Sequence, residues 1–95
     1  MLYDTKTAER LAILYSIIVR LDSMEDCARF FEDLCTINEL QAMAQRWEVA
    51  TLLKQGLPYV QVGQQTGASS ATISRVSRAL NHGADGYVRM LDLMD

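Results

Sequence analysis

Residues 58–80, PYVQVGQQTGASSATISRVSRAL, constrain this chain more than any other stretch. Their pattern predicts two short helices joined by a tight turn at Gly67. Pro58 suits a first helical position, where its missing N–H is no loss. Val60 and Val62 alternate with Gln61, Gln64 and Gln65, so the first helix has a narrow apolar side. Gly67 supplies the positive φ that a sharp helix-to-helix turn needs. Ser69 or Ser70 then caps the second helix by accepting a hydrogen bond from a free N–H. Ile73, Val76 and Leu80 recur at helical spacing and form one buried stripe. Ala71, Ser74, Arg75 and Arg78 point the other way.

That outward face is small, hydroxylic and basic. Small side chains allow close approach to a major groove, hydroxyls bond base edges or phosphates, and arginines seek phosphate or guanine. The spacing therefore predicts a helix-turn-helix with a recognition helix at 70–80. An ordinary helical hairpin with a serine-rich exposed face is the plainer alternative.

The chain's 95 residues make one domain, 1–95, whose single copy buries only a modest core. Apolar residues are 49% and charged residues 22% of the sequence, which is globular and not disordered. The net charge of −3 speaks against nucleic acid, but its distribution matters more. Residues 1–39 carry four Lys/Arg against eight Asp/Glu. Residues 40–80 carry Arg46, Lys54, Arg75 and Arg78 against Glu48, a net +3. Residues 81–95 return to −2, with Arg89 against three Asp. The only net-positive segment thus contains the candidate reading helix.

Cys27 and Cys35 have no C-x-x-C spacing and the chain has a single His, so no zinc site is expected. Eight residues apart on a helix, their Cα atoms would lie ~12 Å from each other, too far for a disulfide. Two buried reduced thiols are expected, which fits a cytoplasmic protein. The start, MLYDTKTAER, is not a signal peptide, and no apolar run is long enough to span a membrane. His82 falls in a predicted loop with no nucleophile or acid pair beside it, so no enzyme is expected.

Along the chain, Leu11, Leu14, Ile17, Ile18 and Leu21 predict a first helix over 5–21. Ile13 and Tyr15 add apolar surface off that stripe, which points to burial against a second protomer; a one-sided core within the single chain is the plainer alternative. Ser23 and Asp26 form a capping-box-like start for a helix carrying Cys27, Phe30, Phe31, Leu34 and Cys35. Thr36 and Glu39 form a full capping box before a long third helix. Its stripe is Leu40, Met43, Ala44, Trp47, Ala50 and Leu53, and Gly56 ends it. Residues 81–83 read as a loop and 84–94 as a last helix. The fold class is all-α, with about six helices per chain.

The segments LCTINELQAMAQRWEVATLLKQG and TGASSATISR resemble the Trp repressor family, most closely its YerC/YecD-type branch. The resemblance covers residues 34–94. It implies an intertwined homodimer whose paired helix-turn-helix units, here at about 58–80, bind double-stranded operator DNA. It also implies that Ser70, Ala71, Thr72 and Ser74 read DNA, beside Arg75 and Arg78. In the family's repressor, two arginines hold the corepressor carboxylate; Arg46 and Arg75 match them, and Thr36 matches a pocket-lining threonine. A small anionic effector at Thr36, Arg46 and Arg75 is implied. However, Val76 stands where the family has a glycine that leaves room for the indole. Ala79 replaces a serine that holds the corepressor's amino group, and the connection between Gly56 and Pro58 is one residue shorter. Val60 and Gln61 are neutral where the first helix of the pair carries a basic residue.

Together these readings predict a homodimeric, sequence-specific DNA-binding regulator, by family a repressor. It would not respond to L-tryptophan and would need no cofactor. A protein-interaction or assembly domain that keeps the fold without DNA is the alternative, favoured by the acidic balance.

Overall fold

The computed structural model describes residues 3–95. Its six helices are α1 (Thr5–Ile18), α2 (Met24–Leu34), α3 (Ile37–Lys54), α4 (Tyr59–Thr66), α5 (Ser70–His82) and α6 (Gly86–Met94). No strand occurs among the described residues. The chain divides into two units, one ending at Thr36 and one beginning at Ile37.

The first unit holds α1 and α2. Asp4 caps α1, its Oδ1 accepting from the Thr7 N–H at 2.7 Å. Hydrogen bonding from Thr7 holds the Asp4 carboxyl below its ordinary range. The helix ends at Ile18, short of the expected Leu21. The N–H groups of Arg20 and Leu21 bond three residues back, to Ile17 and Ile18, which tightens the last turn and ends the α-helix. Ser23 caps α2 as predicted, accepting from the Asp26 N–H at 3.0 Å. Phe30 and Phe31 meet edge to face at 5.6 Å.

Neither helix of this unit contains a fully buried residue. Leu11, Leu14, Ile18 and Leu21 are half-buried, while Ile17, on the same expected stripe, is exposed. Ile13 is 64% and Val19 80% exposed. Cys27 and Cys35 are free thiols, half-buried and not fully enclosed as expected.

The second unit packs α4 and α5 on α3, with α6 against α3 and α5. Its core is Val49, Ala50, Val62, Ala68, Ile73 and Val76, with Leu52, Leu53, Leu57, Leu80 and Tyr87 packed against it. Full burial in α3 is confined to Val49 and Ala50, and Val49 lies off the expected stripe. Leu40, Met43, Trp47 and Leu53 are half-buried and Ala44 is exposed. The helix is apolar on more than one side, so the core takes Ala50 from the expected stripe and Val49 from beside it.

The carboxyl end of α3 closes as a Schellman turn around Gly56, at φ +88°. Gly56 N–H donates to the Leu53 carbonyl at 3.0 Å and Leu57 N–H to the Leu52 carbonyl at 3.2 Å. Lys54 Nζ then reaches Asp92 and Asp95, each at 3.2 Å, and ties α6 to α3. Trp47 stacks on Tyr87 with ring centroids 6.3 Å apart.

Candidate nucleic-acid interface

The predicted two-helix unit is present with shifted edges. Pro58 is the N-cap of α4, one residue before the expected first helical position. Its carbonyl accepts from the Val62 N–H at 3.1 Å, so the ring sits just outside the helix that it starts. Val62 is fully buried and Val60 is 72% exposed, so only one of the two valines faces the core. Gly67 ends α4 at φ +73°, the left-handed conformation that its position predicted. Thr66 Oγ1 donates to the Val62 carbonyl at 2.7 Å and accepts from the Ala68 N–H at 3.1 Å.

Ser69, and not Ser70, caps α5. Its Oγ accepts from the Thr72 N–H at 3.2 Å and donates to Thr72 Oγ1 at 3.1 Å. The cap satisfies one of the free N–H groups at the helix start and fixes where the reading face begins. The helix then runs through Asn81 and His82, which the sequence placed in a loop. Asn81 Nδ2 donates to the Ser77 carbonyl at 3.0 Å, inside the last turns. The last helix begins at Gly86, two residues later than expected, after Asp85 takes a positive φ of 66°.

Along α5 the two faces separate as the spacing required. Ile73 and Val76 are buried. Ser70, Ala71, Ser74, Arg75 and Arg78 are exposed together, one turn after another. Thr72 is half-buried and its hydroxyl already bonds Ser69, so it belongs to the cap as much as to the outward face.

Of the three residues implied for an anion, Thr36 is exposed at the end of the first unit. Arg46 is half-buried on α3 and Arg75 exposed on α5, two helices that pack on each other. Neither arginine forms an ion pair among the described residues, and Glu48 does not neutralise them. Val76, next to Arg75, is 1% exposed and belongs to the core. Ala79 lines a shallow apolar groove of about 470 Å³ with Trp47, Ala84, Gly86, Tyr87 and Met90. Among the described residues no group of three or more His, Cys, Asp or Glu could hold a metal ion, and no helix is long and apolar enough to cross a membrane.

Two residues that hold this unit together are not singled out by the sequence pattern. Gln45 of α3 bonds the backbone of the α4–α5 turn, a contact made across 21 residues. Thr66 is by type one more polar residue of a glutamine-rich helix. Its place directly before Gly67 was the available clue, because a threonine hydroxyl readily bonds nearby backbone in a turn.

A supporting long helix, a short helix, a left-handed glycine turn and a capped helix with one apolar and one hydroxylic-basic face define a helix-turn-helix module. The model of the Trp repressor protein family matches residues 9–95. The chain belongs to the Trp repressor family. It is 50% identical over 92 residues to the uncharacterized protein YerC of Bacillus subtilis (strain 168), covering 97% of this chain and 88% of that protein. A crystal structure from Staphylococcus aureus, provisionally described as a Trp repressor, superimposes with a TM-score of 0.87 at 48% identity. It covers 90% of this chain and 86% of that one. A TrpR-like protein from Eubacterium eligens ATCC 27750 also gives 0.87, at 43% identity, over 90% of this chain and 89% of its own.

Proposed function

We propose that this protein is a sequence-specific DNA-binding transcriptional regulator, a repressor, that works as a homodimer and does not require L-tryptophan. The observation that carries this reading is the outward face of α5, where Ser70, Ala71, Ser74, Arg75 and Arg78 are exposed around a buried inner face. In this reading Arg75 and Arg78 hold phosphates and give affinity on any sequence. Ser70, Ala71 and Ser74 sit close enough to base edges to choose among sequences, with Thr72 beside them. Membership in the Trp repressor family supports the same assignment.

The dimer reading rests on apolar surface. Ile13, Tyr15, Ile17 and Val19 are all exposed in the first unit, and Leu34 and Ile37 follow them. A second copy covering these side chains would complete a core that 95 residues build only in part. Two-fold symmetry then sets two half-sites about one helical turn, ~34 Å, apart. Sedimentation at micromolar concentration should give a dimer; a folded, monodisperse monomer would sink that part of the proposal.

For the effector, Arg46 and Arg75 are two cations without ion-pair partners among the described residues, which suits a carboxylate or phosphate site. Val76 fills space and Ala79 offers no acceptor to an ammonium, so L-tryptophan is not the anion. Selection of genomic fragments by the purified protein, sequenced with and without a small-molecule pool, tests the function. One enriched palindromic motif is expected without any added ligand. Uniform recovery of all fragments would favour a protein-interaction domain on the same fold.

A further inference from the structure

The turn that aims α5 is held from three directions. Within α4, Gly67 N–H bonds the Gly63 carbonyl at 2.9 Å and the Thr66 hydroxyl bridges Val62 to Ala68. From α5, Ser69 caps the helix start. The third hold comes from α3: Gln45 Nε2 donates to the Thr66 carbonyl at 3.1 Å. That carbonyl is among the last of α4, which lack partners inside their own helix. The first two holds connect the turn only to itself and to the helices on either side. Among the described residues, Gln45 alone links the turn's backbone, by hydrogen bond, to the supporting helix.

We propose that Gln45 is a positioning residue for sequence reading, one that fixes the α4–α5 turn to α3 and so sets the angle at which α5 meets DNA. The proposal rests on the DNA-binding reading above. Gln45 is half-buried and its amide is occupied by the turn, so it acts through Thr66 and Gly67 rather than on DNA. The leverage is geometric. Ser70 and Ala71 open α5 directly after the held turn, so a displacement of that turn by about an ångström carries both reading residues with it. Hydrogen bonds to base edges do not survive such a shift, because their distance range spans only about half an ångström. Contacts between flexible arginines and phosphates do survive it. Loss of Gln45 should therefore reduce sequence choice while leaving general affinity in place.

The test compares wild type, Gln45→Met, Gln45→Glu and Gln45→Lys. Methionine keeps the unbranched length and loses the donor. Glutamate keeps the shape and presents an acceptor to the carbonyl, and it carries the test should the methionine variant fail to fold. Lysine restores an N–H donor of similar reach. On the motif selected by the wild type, the ratio of specific to non-specific affinity should fall about fivefold in the methionine and glutamate variants, the size of one hydrogen bond. The lysine variant should recover it. Amide exchange at Gly67 and Ala68 should quicken in the first two variants and return in the third. An unchanged affinity ratio, or unchanged exchange at the turn, overturns the assignment of Gln45 alone. A wild type that selects no motif overturns the DNA-binding reading together with it.

Discussion

Val76 should behave as a core residue whose loss is felt throughout the second unit. It is 1% exposed and packs with Val49, Ala50, Val62, Ala68 and Ile73. Val76→Ala removes two methyl groups from that cluster. At about 0.8 kcal/mol for each buried carbon, the transfer cost is ~1.6 kcal/mol. An unfilled space of about 50 Å³ would add ~1.2 kcal/mol. The expected loss is thus roughly 1.5–3 kcal/mol, a large share of the stability of a small domain. At about 4–8 °C for each kcal/mol, the midpoint should drop by roughly 6–24 °C. Val76→Gly should lose about 1 kcal/mol more, through backbone freedom in mid-helix. The assay is thermal unfolding followed by circular dichroism, at one fixed protomer concentration because an oligomer's midpoint moves with concentration. A loss under about 0.5 kcal/mol for Val76→Ala would refute the reasoning, because the valine could not then be filling the space that the core depends on.

Gly67→Ala should destabilise by about 1–2 kcal/mol, since φ +73° strains any side chain. The nearest atom to an added Cβ there is Gln45 Nε2 at 4.0 Å, so a larger loss would mean that something other than backbone conformation is at stake. Calorimetry with millimolar L-tryptophan should give no saturable heat; saturable heat with tighter DNA binding would mean that the pocket had formed around Val76. The Lys54 ammonium, hydrogen-bonded to Asp92 and Asp95, is raised above its ordinary 10.5. A raised base stabilises fully below its unfolded value and loses that contribution as pH climbs through the folded one. Wild type should therefore outlast Lys54→Met at pH 8, and the gap should close in strong alkali. A gap that widens instead would contradict the tether between α3 and α6.

The parts of this fold that were legible in the sequence are those set by local chemistry. Ser23, Gly56, Gly67 and Ser69 each fix a helix end through their own backbone or hydroxyl, and each does so here. The α5 stripe was legible because a helix with one apolar and one polar face has a single way to pack. α3 was not, because its apolar residues surround it, and only the placement of α4 and α5 selects Val49 and Ala50 for the core. The end of α1 was misplaced for a related reason. No glycine or proline marks it, and the apolar pattern continues past Ile18 while the backbone tightens into a turn. Within the candidate site, the outward residues of α5 followed from spacing. Gln45 did not, because its one important bond is to a carbonyl 21 residues away and any exposed helix position tolerates a glutamine.

The most direct measurement of the central claim is the salt dependence of DNA binding for wild type, Arg75→Ala and Arg78→Ala, each on the selected motif and on unrelated DNA. If α5 docks by the face described, each substitution weakens binding to both DNAs and lowers the slope of log affinity against log salt by about one. Both variants binding as wild type at moderate salt, with unchanged slopes, would contradict it.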